Sequence, residues 1–249
     1  MTEETKVATT EAPGVVAAYQ DPAGAINPKN LIVPKILLMQ PPSQFVQEEK
    51  ARLGEMRDSM NCVKLGTKEE PLEILPFFVT ETWVIYEQIG DKLKFKKQVP
   101  QTPENVDWDW TGVEDGVNIR RDHAINYFCL LPIEIENEDV YFPYLISFRR
   151  TSHMAGKKLE TARAKYGAFG LPVYHKTYNL SSLAKENDHG KFYVYDVVEN
   201  RKTTDKEKQA IKRWENIIRT TNVEVDHSDL EQETGHTETA GEYKEGDKF

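Results

Sequence analysis

Only two cysteines occur, Cys62 and Cys129, and neither has a CxxC partner. Neither a disulfide framework nor a cysteine-based zinc site is expected. No run approaches the roughly 18 apolar residues that a membrane-spanning helix needs. No basic stretch leading into an apolar core marks a secretory signal, so a cytoplasmic protein is expected. The chain also lacks the GxxxxGK[ST], GxSxG and HExxH patterns, each of which carries a defined chemistry. Its six histidines are scattered, and its acids form no close cluster in the body. Asp122-His123 reads as a surface pair rather than half of a catalytic dyad. No catalytic residue, cofactor or metal is expected, and the chain does not read as an enzyme.

A cationic excess is missing too. Thirty-two lysines and arginines face 41 acids, for a net charge of −9 and a pI near 5.3. Taken whole, that argues against a nucleic-acid partner. The charge is uneven, however, and the asymmetry informs more than the total. Nine carboxylates and two lysines lie between Asn222 and Phe249, a net −7. That segment has few large apolar residues and cannot bury enough surface to order itself. Residues 1–221 therefore carry only −2. From Phe148 to Tyr178, Arg149, Arg150, Lys157, Lys158, Arg163, Lys165 and Lys176 meet one acid, Glu160, for a local +6.

The length suits one domain once the ends are set aside. Residues 1–28 read as a flexible arm, 29–200 as the core, 203–221 as an amphipathic helix, and 222–249 as an acidic disordered tail. Within the core the periods are of strand type. Pro34 breaks the run Leu31 to Met39, and Pro76 bends the long stretch Leu72 to Tyr86. Asp91 to Val99 forms a short charged strand, and residues 100–118 a loop. Ile119 to Ile135 and Val140 to Arg150 read as a hairpin. So do Tyr174 to Ser182 and Lys191 to Val198, with Asn187-Asp188-His189-Gly190 as the turn.

Two helices interrupt the strands. Thr204 and Glu207 have capping-box spacing, and Ala210, Ile211, Trp214, Ile217 and Ile218 then form one apolar stripe. The other runs from about Ser152 to Tyr166, with Gly167 as a C′ residue. The expected fold class is mainly β with peripheral α: an OB-like barrel with one inserted and one C-terminal helix. A β-sandwich would leave a similar pattern.

Residues two apart on a strand share a face. Tyr174, Lys176 and Tyr178 thus align, as do Lys191, Tyr193 and Tyr195. A face of alternating rings and cations suits single-stranded nucleic acid, whose bases stack on rings while cations follow the phosphates. Arg149, Arg150, Lys157, Lys158, Arg163 and Lys165 extend that candidate groove. The plain alternative is that these tyrosines are core or cross-strand packing. Trp83, Trp108 and Trp110 are weaker candidates, and Trp214 reads as core.

Several segments carry a family resemblance. Val33-Pro34-Lys35-Ile36, Gly54 to Ser59, the strand Pro71 to Tyr86, and the block Phe148 to Tyr178 with Thr151-Ser152, Lys157-Lys158 and Gly170-Leu171-Pro172-Val173 resemble single-stranded DNA-binding proteins of tailed bacteriophages. The resemblance covers residues 30–200 and implies an OB barrel acting in replication or recombination in the host cytoplasm. The acidic segment ending in Phe249 is similar to tails that compete with DNA and recruit replication proteins, which implies Phe249 as a partner-binding residue. Here it is diluted by Lys244, Lys248, Gly and Thr, and it lacks a Pro-Phe ending. Two alternatives stand beside this one: a recombination or strand-annealing accessory protein, and a structural or virion interaction protein without a nucleic-acid role. Oligomeric state is left open.

Overall fold

The structure is a computed structural model and describes residues 31–90, 92–136, 138–188, 190–220 and Glu224–Val225. Two long strands organise it, β5 (Leu72–Ile89) and β8 (Val117–Ile135), paired antiparallel from Leu75↔Leu130 to Glu87↔Ile119. Each strand takes different partners along its length. At one end β10 (Lys176–Asn187) pairs the start of β5, and β11 (Gly190–Lys202) pairs β10. There β9 (Glu138–Arg149) flanks β8. At the other end β6 (Lys92–Pro100) flanks β5, and β7 (Thr111–Glu114) flanks β8. The sheet forks around its central pair.

Both expected hairpins are present, as β8–β9 and β10–β11. Pro76 sits where the β5–β8 register slips by one residue, before Phe78. A proline cannot donate to the ladder, so a bulge accommodates it. Pro34 likewise separates β1 (Ile32–Val33) from β2 (Ile36–Leu38), and its carbonyl accepts the Leu145 amide at 2.9 Å. Of the expected loop 100–118, Pro100 ends β6, Thr111–Glu114 form β7 and Val117 and Asn118 begin β8, and the rest is loop or turn.

A small sheet escaped the sequence reading. β2, β3 (Met56–Asp58) and β4 (Lys64–Gly66) form it, with a single helical turn, α1 (Gln44–Gln47), between β2 and β3. This sheet and α2 (His153–Gly167) cover one face of the large sheet. Ile36, Met56, Tyr127, Phe148, Leu159, Tyr178 and Tyr195 are buried between them. The opposite face packs against α3 (Asp205–Thr220) through Leu75, Phe77, Leu130, Leu145, Ile211 and Ile218. The capping box forms as expected. Thr204 N–H donates to the Glu207 carboxylate at 2.6 Å, and Glu207 N–H donates to Thr204 Oγ1 at 3.3 Å.

Two expectations need correction. Gly167 is not the C′ residue of α2. The chain turns over three residues later, where Leu171 N–H reaches Tyr166 O, Gly170 N–H reaches Gly167 O, and Gly170 takes φ +69°. That is a Schellman motif with Gly170 at C′. The second concerns the acidic tail, given as 222–249. Its start contains β12 (Glu224–Val225), paired in parallel with β1. The remainder of that segment and the arm 1–28 lie outside the described residues.

The fold is mainly β, and among the described residues no ring of hydrogen-bonded strands closes. Curvature is strong all the same. Lys96 and Lys97 of β6 come within 3.6 and 3.5 Å of Glu114 on β7, although those strands occupy opposite edges of the order β6-β5-β8-β7. A flat sheet would hold them about three strand spacings apart, roughly 14 Å.

Candidate nucleic-acid interface

Three of the four tyrosines expected to stack on bases, Tyr178, Tyr193 and Tyr195, do share a face, whereas Tyr174 lies in a 3-10 turn (Val173–His175) and packs on the opposite side. Register pairs Tyr178 with Glu199 and Ser182 with Tyr195, and Tyr193 lies two residues before Tyr195. That face is the core face. Tyr178 is 1% exposed and its hydroxyl donates to Val173 O at 3.2 Å. Tyr195 is 8% exposed, donates to Ile36 O at 2.7 Å, and meets Phe148 edge-on at 5.6 Å. Neither ring is open to a base, which corrects both assignments. The cause is the cover that α2 and the small sheet supply.

Tyr193 is half-buried above Gly54, where a Cβ would come within 2.5 Å of its ring. Gly54 has φ +78°, so glycine serves both the turn and the close approach. The Gln40 side chain occupies the outer edge of β11 here. It accepts from Tyr193 N–H at 3.0 Å and donates to Tyr193 O at 2.7 Å, so the edge is blocked as a strand would block it. Tyr174 is half-buried against the cluster under α3, and burial raises the pKa of its hydroxyl. Lys176 is half-buried, and Lys191 is exposed near the β10–β11 turn.

The basic block divides into two groups. Arg149 and Arg150 turn inward. Arg149 donates to the Tyr86 hydroxyl at 2.6 Å. Arg150 ion-pairs with the fully buried Asp122 and lies over the Tyr86 ring at 5.4 Å. Arg120 joins Asp122 at 3.2 Å. Arg150 holds φ +50°, an uncommon conformation for a side-chain-bearing residue, at the crossing from β9 to α2. Neither Arg120 nor Tyr86 stands out in the sequence as a site residue, and Asp122 does so only as half of a surface pair with His123. Alternation along β8 is the signal that could have found them, since it sends Arg120 and Asp122 to one face and His123 to the other.

The Asp122-His123 pair is therefore not a surface pair. His123 Nε2 lies 2.9 Å from the Glu81 carboxylate and its Nδ1 lies 3.0 Å from His153 Nε2. Trp83 packs on the His123 ring at 5.3 Å. The network is consistent if Glu81 accepts the His123 Nε2 proton and His123 Nδ1 accepts one from His153. Burial, with His123 and Lys157 nearby, pushes the His153 pKa down to about 4. Among the described residues no group of three or more His, Cys, Asp or Glu is placed to hold a metal ion.

The second basic group lies on α2, whose buried face is Ala155, Gly156, Leu159, Ala162 and Tyr166. Lys157, Lys158, Arg163 and Lys165 are exposed. Lys158, Thr161 and Lys165 border a groove against β10 and β11, with Ala162, Tyr178 and Val197 in its lining. Acids from the sheet enter this surface. Lys158 pairs with Asp196, and Lys165 stands 3.6 Å from Glu199. Arg163 pairs with Glu160 on its own helix. The +6 counted along the chain is thus partly neutralised in space by carboxylates of β8 and β11. Trp108 lies under the Arg121 guanidinium at 4.7 Å, whereas Trp110 is exposed. Phe249 lies outside the described residues.

A family described as Pam3 phage gp34-like protein matches residues 4–222, most of the chain. The chain belongs to the Pam3 phage gp34-like family. No curated protein and no solved structure matches it. Membership in this family bears out the phage part of the sequence resemblance, and the family description names no ligand. The matched residues include both basic groups and all of the large sheet. Among the described residues no helix is long and apolar enough to cross a membrane.

Proposed function

We propose that this Pam3 phage gp34-like protein is a non-catalytic single-stranded DNA-binding protein of phage DNA replication or recombination. It works in the host cytoplasm without a cofactor. Its curled sheet is used in an OB-like way, and its acidic segment competes with DNA and recruits partner proteins. One observation carries the reading: α2 presents Lys157, Lys158, Arg163 and Lys165 to solvent beside a groove. Three of these cations are held by acids, but exposed ion pairs contribute only about 0–1 kcal/mol. A phosphate backbone can replace such partners at little cost.

A second reading, a structural or interaction protein, is favoured by the burial of Tyr178 and Tyr195 and by the pairing of the basic block. Titration with single-stranded, duplex and RNA oligonucleotides at several salt concentrations separates them. Single-strand preference is expected, with log K falling against log salt at a slope of roughly −3 to −4, for about four to six phosphates. Equal affinity for duplex and single strand, or no salt response, would leave the second reading. Particles that grow into large rings on DNA would point instead to a strand-annealing protein.

A further inference from the structure

Phe169 is 77% exposed, more than any other large hydrophobic side chain among the described residues. It belongs to none of the core clusters. Nothing in the packing accounts for an aromatic ring there; single exposed apolar side chains are ordinary on a protein surface, so what singles out Phe169 is its place beside the cations of α2.

Its position follows from the end of α2. Ala168 N–H still bonds Ala164 O at 3.0 Å, and Phe169 N–H bonds Tyr166 O at 2.9 Å, so the helical path runs on through Phe169. Gly170 then reverses the chain in the Schellman turn. At 100° per residue, Lys158, Ala162, Lys165 and Phe169 fall on one row of the helix. Lys158, Ala162 and Lys165 line the groove against β11; Phe169 is not in that lining and lies one turn beyond Lys165 on the same row. Lys165 and Phe169 are four residues apart, so their Cβ atoms stand about 5–6 Å from each other. The turn that carries the ring has its backbone donors bonded from residue 168 to residue 171. The ring is therefore presented on a fixed backbone, which keeps the cost of ordering it low.

We propose that Phe169 is the stacking residue of this protein: an unpaired base lies on its ring while the adjoining phosphates run along Lys165 and Lys158. The assignment rests on the DNA-binding reading above and replaces the buried tyrosines as the source of base contact. A ring beside a row of cations is the pattern by which single strands are held without sequence preference.

The test uses the full chain with Phe169→Ala, Phe169→Trp and Lys165→Gln. The probes are an oligo-dT and an abasic oligomer of the same length, which has the same phosphates and no bases. Phe169→Ala should weaken oligo-dT binding about 5- to 150-fold, the range for loss of one stacked base, and leave abasic binding unchanged. Phe169→Trp should restore affinity, and its added emission should change with oligo-dT but not with the abasic strand. Lys165→Gln should weaken both probes alike. Unaltered oligo-dT affinity in Phe169→Ala would overturn the assignment and leave the ring as a protein-docking residue. Equal weakening on both probes would overturn it as well. Absence of binding by the unsubstituted chain would overturn this assignment together with the DNA-binding reading, whereas the other two failures leave that reading standing.

Discussion

At the scale of single residues, alternation holds along β11 but fails at Tyr174, which lies in a 3-10 turn, and the aromatic side it marks is the buried one. Tyr178, Tyr193 and Tyr195 do lie on one face, yet the covering layer comes from residues 36–66 and from α2, which no local pattern links to β11. Period two tells which side chains go together, not which side is wet. His153 shows a different limit. Nothing in the sequence pairs it with His123, 30 positions away, and burial at that contact, followed by the His123 neighbour itself, sets its titration. An unfolded histidine titrates near 6.5, whereas burial beside His123 and Lys157 brings His153 to about 4. Between those values the unfolded chain binds a proton that the folded one does not. Stability should therefore be fully present above pH 6.5 and fall as the pH drops through that window. Allowing for partial solvent screening, the loss by pH 5 is about 1–2 kcal/mol. Urea midpoints at pH 7.5 and pH 5 should separate more for the parent chain than for His153→Gln. Equal separations would mean that His153 does not titrate in this range.

At the scale of elements, what was legible is what local chemistry determines. Capping residues, the apolar stripe of α3 and both hairpins are written within a few residues of each other, and all formed. β3, β4 and β7 are three or four residues long and owe their form to pairing partners, so no period marks them. Gly167 misled because two nearby glycines could each end α2, and only Gly170 meets the bonds of the turn. The start of α3 carries more than its cap. Glu207 is 1% exposed, and its carboxylate accepts from Arg201 Nη1 at 3.0 Å and Nη2 at 2.6 Å as well as from Thr204. Burial pushes the Glu207 pKa up, but these donors outweigh it and hold the carboxyl below its ordinary value. Arg201 also pairs with Glu73 of β5 at 3.0 Å, so the helix start is tied to the sheet. Glu207→Ala removes the cap and leaves Arg201 without its buried partner, and should cost about 2–4 kcal/mol. Thr204→Ala removes only half of the box and should cost about 1 kcal/mol. Chemical denaturation of the two variants checks the order. Equal losses would mean that the Arg201 pair contributes nothing beyond the cap.

At the scale of the whole molecule, the sequence showed charge along the chain, but the fold sets charge in space. The basic block meets Asp122, Glu160, Asp196 and Glu199, so its field is weaker than the linear count implies. The acidic segment beyond Asp226 keeps seven acids against two lysines. If that segment competes with DNA for α2, being tethered gives it an effective concentration around millimolar, and even weak attraction can occupy the groove. Salt should weaken the competition, because the Debye length is only about 8 Å at 0.15 M. The pairing of β12 with β1 fixes where to cut: removal must begin after Asp226, since an earlier end would strip a strand from beside Val33, which is wholly buried in the cluster under α3. Truncation there should raise affinity for single-stranded DNA, most clearly at low salt, and leave the melting temperature unchanged. Deleting Phe249 alone removes no side-chain charge and should leave DNA affinity as it was while weakening capture of a replication partner. Affinities of the full and truncated chains at 20 and 200 mM salt decide it. Coincident curves at both concentrations would make the acidic segment a solubilising extension with no hold on the groove.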